Sequence, residues 1–101
     1  MDDLEKTRLC AAARGIKERE HPIAPVTPPA IWVEGEGGHC YFYHPLRNDA
    51  QAMALGKSDP ELFEKCVTEW ASMIKCGESD ADLNRVLVTE FSRHQAAKEK
   101  A

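Results

Sequence analysis

Residues 31–44 place the strongest constraint on the fold, because they form two β-rich runs around a glycine-rich loop. The runs are Ile31–Glu34 and Cys40–Tyr43, and the loop Gly35–Gly38 between them tolerates positive φ angles. This pattern predicts a β-hairpin over residues 31–44. Pro45 ends the second strand, because proline has no N–H to donate to a sheet.

The two faces of this hairpin differ in the side chains that they carry. Successive residues of a strand point to opposite faces, and the face expected to pack inward carries Ile31, Val33 and Phe42. The opposite face is then expected to carry Trp32, Tyr41 and Tyr43. Aromatic side chains are enriched at interaction sites, so we predict that these last three bind a partner or a second copy. The alternative is that helices cover both faces, since helices flank the hairpin on both sides in sequence.

The rest of the chain predicts four helices and one extended connector. Helices are expected over residues 2–20, 49–55, 59–76 and 80–97. The segment 21–30 is rich in proline, which lacks an N–H donor and has a fixed φ angle. This segment is therefore predicted to be a connector that is neither helix nor central strand.

Local signals set the expected ends of these helices. Asn48 is the expected N-cap of the second helix, with Gln51 as its reciprocal partner and Gly56 at its C-terminal end. Ser79 is expected to cap the last helix, and Gly15 is expected to weaken the first helix without ending it. The centre of the core is predicted to contain Phe63, Trp70, Leu87 and Phe91.

Length and charge limit the classes of function. At 101 residues the chain is expected to be one domain, spanning 1–101. Its net charge of −4 and pI near 5.5 argue against a protein that binds the phosphate backbone of nucleic acids. No apolar run approaches the ~20 residues of a membrane span, and no signal-peptide pattern is present. The chain is therefore expected to stay in the compartment where it is made.

The cysteines and histidines raise the question of a metal site. The candidate ligands are His39, Cys40, His44, Cys66, Cys76 and His94. Zinc sites usually take their ligands in closely spaced pairs, and no Cys-x-x-Cys is present. His39 and Cys40 are adjacent in a strand and should point to opposite faces. We therefore expect neither a metal nor another cofactor, and we expect four free thiols, mostly buried in helices, in a reducing compartment.

Cys40 is a candidate nucleophile, because His39 and His44 lie close to it in sequence. A histidine can activate a cysteine as a nucleophile. No nucleophile elbow, oxyanion loop or third orienting residue accompanies them. No catalytic residue is therefore assigned, and the chain is not expected to be an enzyme.

Three stretches resemble a family of small phage and prophage proteins with an α-β-α ("ABA") sandwich domain. Residues Leu9–Ile16 look like the alanine-rich first helix of that family. Tyr43–Leu55 is similar to its aromatic-x-Pro-Leu-x-x-Asp-x-x-Ala signature, and Ala81–Val88 looks like its closing helix. The family usually has more strand before the closing helix, whereas Leu62–Ile74 reads as helix here.

Together these observations predict an α+β fold, with an antiparallel β-hairpin or small sheet packed against three to four helices. The resemblance implies a non-enzymatic phage accessory protein in the bacterial cytoplasm. Such a protein would act by binding a host or phage protein, or another copy of itself as a homodimer. The alternative is a small regulatory protein that binds a metal or associates with nucleic acid.

Overall fold

The hairpin is part of a three-stranded sheet, which shares one core with four helices. The computed structural model describes all residues, 1–101, and confirms the α+β fold. The elements in chain order are α1 (Asp3–Ala13), β1 (Lys17–Glu18), β2 (Ile31–Glu34), β3 (Cys40–Tyr43), α2 (Asp49–Lys57), α3 (Pro60–Lys75) and α4 (Leu83–Lys100).

The sheet is antiparallel, with strand order β1-β2-β3. In the hairpin, Ile31 pairs with Tyr43 and Trp32 pairs with Phe42. A short 3₁₀ turn over Glu36–Gly38 joins the two strands, with φ angles of 77° at Gly37 and 78° at Gly38. These positive φ angles explain why the loop needs glycine.

The first helix is shorter than its sequence pattern predicts, so the expected helix 2–20 is wrong in its second half. Helix α1 ends at Ala13, and Gly15 follows with a φ of 70°. This left-handed conformation turns the chain back, and Lys17 then pairs with Glu34 of β2. The charged residues after Gly15 therefore form an edge strand, which satisfies backbone groups of β2 that would otherwise lack a partner.

Helix α2 extends two residues beyond the predicted end at Leu55, and Gly56 lies inside it. The glycine is buried, and a Cβ atom there would lie 2.7 Å from a ring carbon of Phe63. Gly56 is therefore a packing position that allows Phe63 of α3 to approach α2, and its predicted role as a C-terminal glycine is wrong.

The ends of α3 agree with the sequence, whereas α4 begins later than predicted. The carboxylate of Asp59 accepts a hydrogen bond from the Leu62 N–H at 3.2 Å, and Gly77 follows α3 with a φ of 99°. The N-cap of α4 is Asp82, whose carboxylate accepts from the Asn84 N–H at 3.0 Å. The predicted cap Ser79 lies outside the helix.

The core lies between the inner face of the sheet and the helices, and α1 packs most extensively against α4. Leu87 is fully buried and Phe91 is 3% exposed, as predicted. Phe63 and Trp70 are only partly buried at the edge of the core, where the Trp70 indole N–H donates to the Ala81 carbonyl at 2.9 Å. None of the four helices is both long and apolar enough to cross a membrane.

We expect Phe91→Ala to lower the free energy of unfolding by ~3–5 kcal/mol, because it removes a buried aromatic ring and leaves a cavity. Urea titration measures this change. The control is Ile23→Ala, since Ile23 is 88% exposed and its truncation should change stability by less than ~0.5 kcal/mol. Equal losses in the two variants would contradict the position of Phe91 in the core.

Candidate interaction surface

The inner face of the sheet contains both tyrosines of the hairpin. Tyr43 is fully buried opposite Ile31, and Tyr41 is partly buried opposite Val33. Paired residues of an antiparallel sheet lie on the same face, so these four side chains all point toward the helices. The prediction that Tyr41 and Tyr43 share the outer face is therefore wrong, and Phe42 lies there instead.

The outer face of the sheet carries three aromatic rings in mutual contact. We call His21, Trp32 and Phe42 the aromatic patch. The centroids of His21 and Trp32 are 4.5 Å apart, and those of Trp32 and Phe42 are 4.9 Å apart, both in edge-to-face geometry. The His21 ring stacks on Phe42 at 5.6 Å with 9° between the planes. Phe42 remains 50% exposed, so the patch offers apolar area to solvent.

The connector holds His21 against the sheet. The Nδ1 atom of His21 accepts hydrogen bonds from the backbone N–H groups of Ile23 and Ala24, each at 3.2 Å. Two donors on Nδ1 require this nitrogen to be unprotonated, which leaves the proton on Nε2. The connector therefore folds over the outer face and supplies one ring of the patch.

The sequence pointed to Trp32 but missed the other two members of the patch. The sequence pattern places Phe42 on the inward face with Ile31 and Val33, opposite to its tyrosine neighbours. His21 precedes the first proline of the connector, where no pattern relates its side chain to the hairpin. A sequence signal for its contact with Trp32 does not exist, because nine residues of irregular chain, 22–30, separate His21 from the start of β2.

A groove of about 470 Å³ lies next to the patch, between the connector and α1. Its walls include Leu4, Arg8, His21, Ile23, Pro25 and Trp32. Ile23 is 88% exposed at the tip of the connector. The apolar surface of this part of the molecule therefore continues from Trp32 onto the connector.

Two arginines near the patch are paired with carboxylates. Arg19 contacts Glu34 at 3.3 Å, and Arg8 contacts Glu18 at 2.8 Å. Each arginine is therefore largely neutralised by its neighbour. The surface around the patch does not concentrate positive charge in the way that a phosphate-binding surface does.

Gln51 fixes the backbone that presents Phe42. Its side-chain amide donates to the Phe42 carbonyl at 2.7 Å and accepts from the His44 N–H at 2.6 Å. Its backbone N–H donates to the Asn48 side chain at 3.0 Å, which confirms Asn48 as the N-cap. The predicted reciprocal bond from the Gln51 side chain to Asn48 is replaced by the bonds that the Gln51 amide makes with the edge of β3.

The candidate metal ligands do not come together. His39, Cys40, Cys76 and His94 are exposed, Cys66 is buried, and His44 is partly buried. No three His, Cys, Asp or Glu side chains are grouped so that they could hold a metal ion. Burial and the nearby Arg47 lower the pKa of His44, while Asp3 has the opposite effect.

The four cysteines are free thiols in two different environments. Cys10 and Cys66 are buried, and this burial raises the pKa of Cys10 to about 12 and that of Cys66 to about 11. Cys40 and Cys76 are exposed. The expectation that the helical cysteines are buried is therefore wrong for Cys76, which follows the last residue of α3.

We expect DTNB to react rapidly with two thiols of the native protein, Cys40 and Cys76. Cys10 and Cys66 should react only as the chain unfolds, because they are inaccessible and the thiolate is the reactive form. The measurement is the release of thiolate product over time, with and without guanidinium. A Cys40→Ser, Cys76→Ser double variant should lack the rapid phase, and a rapid phase in it would place a buried thiol at the surface.

The Tyr43 hydroxyl is buried and has no hydrogen-bond partner. Burial raises the pKa of Tyr43 well above its usual value, and the nearby Arg14 opposes this effect only in part. A buried polar group without a partner destabilises the folded state. The ring of Tyr43 therefore stabilises the core while its hydroxyl does not.

We expect Tyr43→Phe to raise the free energy of unfolding by up to ~1 kcal/mol, because it removes an unpaired polar atom and keeps the ring. Tyr41→Phe is the matched control, and it should change stability by less than ~0.5 kcal/mol. Urea titration of both variants measures the difference. A loss of more than ~1 kcal/mol in Tyr43→Phe would mean that the hydroxyl has a stabilising partner.

Comparison with known proteins does not assign this chain to a family. No family model, no curated protein and no solved structure matches it. A functional proposal therefore depends on the surfaces of the chain itself.

Proposed function

We propose that this chain is a non-enzymatic accessory protein that binds another protein through the aromatic patch of His21, Trp32 and Phe42. The observation that carries the proposal is Phe42, which is 50% exposed on the outer face of the sheet in contact with the rings of Trp32 and His21. Large exposed apolar side chains next to one another are characteristic of interaction sites.

The geometry of the patch supports a binding role, because the rings are already ordered before a partner arrives. Each ring contacts the other two, and the connector holds His21 by two hydrogen bonds. Binding to such a surface requires little loss of side-chain freedom. Ile23 and the groove beside Trp32 extend the apolar area that a partner can cover.

The charge of the patch favours a protein partner over a nucleic acid. Aromatic rings on a sheet can also stack with nucleotide bases, but such sites combine them with cationic groups for the phosphates. Here Arg8 and Arg19 are paired with glutamates, and the whole chain has a net charge of −4. These features oppose the approach of a phosphate backbone.

The biological setting that we propose is a phage or prophage protein acting in the bacterial cytoplasm on a host or phage protein. This part of the proposal rests on the three sequence stretches Leu9–Ile16, Tyr43–Leu55 and Ala81–Val88 alone. The stretches have structural roles here, since they form the end of α1, the turn into α2 with most of that helix, and the start of α4. They assign no catalytic residue.

We expect Phe42→Ser to weaken binding of the partner at least ~10-fold, because it removes the most exposed ring of the patch. The partner is first captured from infected bacteria with tagged wild-type protein, and its affinity is then measured by calorimetry with purified proteins. The thermal midpoint should change little, since half of the Phe42 side chain is already in solvent.

The matched control is His39→Ser, which removes an exposed ring from the loop of the same hairpin, outside both the aromatic patch and α3. It should leave the affinity for the partner within about twofold, in keeping with the small effect of residues outside an interface. If both variants bind as tightly as the wild type, the aromatic patch is not the binding surface.

A further inference from the structure

Helix α3 carries an apolar stripe that does not belong to the core. Val67, Ala71 and Ile74 have the i, i+4, i+7 spacing that places side chains on one face of a helix. Val67 and Ala71 are partly exposed and Ile74 is 39% exposed, and none of the three packs against the buried core cluster. The core-facing side of the same helix is instead marked by the fully buried Cys66.

Two charged residues flank this stripe on one side, near opposite ends of the helix. At 100° per residue, Glu64 and Lys75 both lie next to the stripe and within about 20° of each other around the helix axis. Both are exposed, and neither takes part in a salt bridge of the fold. The flank of the stripe is therefore negative toward the start of α3 and positive toward its end.

This arrangement is complementary to itself when two copies of α3 run antiparallel. In a two-fold symmetric pair whose axis passes between positions 70 and 71, Val67 of one copy faces Ile74 of the other. In this register position 77 lies opposite Glu64, so Lys75 of the other copy is two residues, or about 3 Å, away along the helix axis, within reach of the two long side chains. The small side chain at position 71 allows the two helices to approach closely at the symmetry axis.

We propose that α3 is a self-association surface, on which a second copy of this chain binds in antiparallel orientation through Val67, Ala71 and Ile74. Two symmetric Glu64–Lys75 pairs set the register. This surface is separate from the aromatic patch, so a dimer can still present one patch on each copy. Because a single pair of helices buries a small area, the association is weak and depends on protein concentration.

Sedimentation velocity over a range of concentrations tests the proposal on the full chain under reducing conditions. The wild type should shift from monomer to dimer as the concentration rises, and Ile74→Glu should weaken the dimer at least ~30-fold by placing a charge in the apolar contact. A wild type that remains monomeric up to millimolar concentration, or an Ile74→Glu variant that still forms the dimer, would overturn the proposal.

Charge exchange tests the antiparallel register. Glu64→Lys and Lys75→Glu should each raise the dissociation constant at least ~fivefold, because each places like charges opposite one another twice. The double variant restores opposite charges and should regain affinity close to that of the wild type. Glu69→Lys changes the net charge equally on another side of α3 and should leave the dissociation constant within about twofold. A double variant no better than the single variants would overturn the register.

A cysteine at the symmetry axis reports the geometry of the dimer as well as its formation. Ala71→Cys is introduced into the Cys40→Ser, Cys76→Ser background, so that it is the one exposed thiol. Mild oxidation should link the two copies through position 71, and the product should appear as a disulfide dimer on a non-reducing gel. Val67→Cys in the same background is the control and should link poorly, because position 67 faces position 74 of the other copy. Equal linking at both positions would contradict the proposed geometry.

Discussion

The pairing of Ile31 with Tyr43 is the interaction on which the arrangement of this molecule depends. Once these residues face each other, the alternation of the strands sends Val33 and Tyr41 inward and Trp32 and Phe42 outward. The inward side chains pack with those of the helices in the core. The outward set, together with His21, becomes the aromatic patch. A shift of the register by one residue would exchange the two faces.

The sequence predicted which helices and strands form better than it predicted how they pair and pack. The hairpin, the Asn48 cap and the end of α3 before Gly77 follow from local rules, because each depends on residues within a few positions. Lys17 and Glu18 became a strand only because β2 needed a partner at its edge, and that need is a property of the folded sheet. No local preference of the segment 17–20 contains this information.

The residues of the aromatic patch were harder to predict from the sequence than the helices and strands. Hydrophobicity assigned Phe42 to the core and the tyrosines to the surface, but the fully buried Tyr43 keeps its hydroxyl in the core without a partner. Which of two neighbouring aromatic residues faces inward is decided by the register in which β3 pairs with β2. Trp32 was identified correctly as an outward residue, since its neighbours Ile31 and Val33 left little choice. The contact of His21 with the patch could not be predicted from the sequence, because it depends on the path that the connector takes in the folded chain.

The amide of Gln51 has a consequence for the behaviour of this chain at high concentration. Strand β3 is an edge strand, and an unpaired edge invites another chain to add as the next strand. Gln51 occupies the Phe42 carbonyl and the His44 N–H, which are two of the groups that such a strand would use. A single side chain from α2 thus blocks part of the β3 edge, which hinders the addition of another strand at that end.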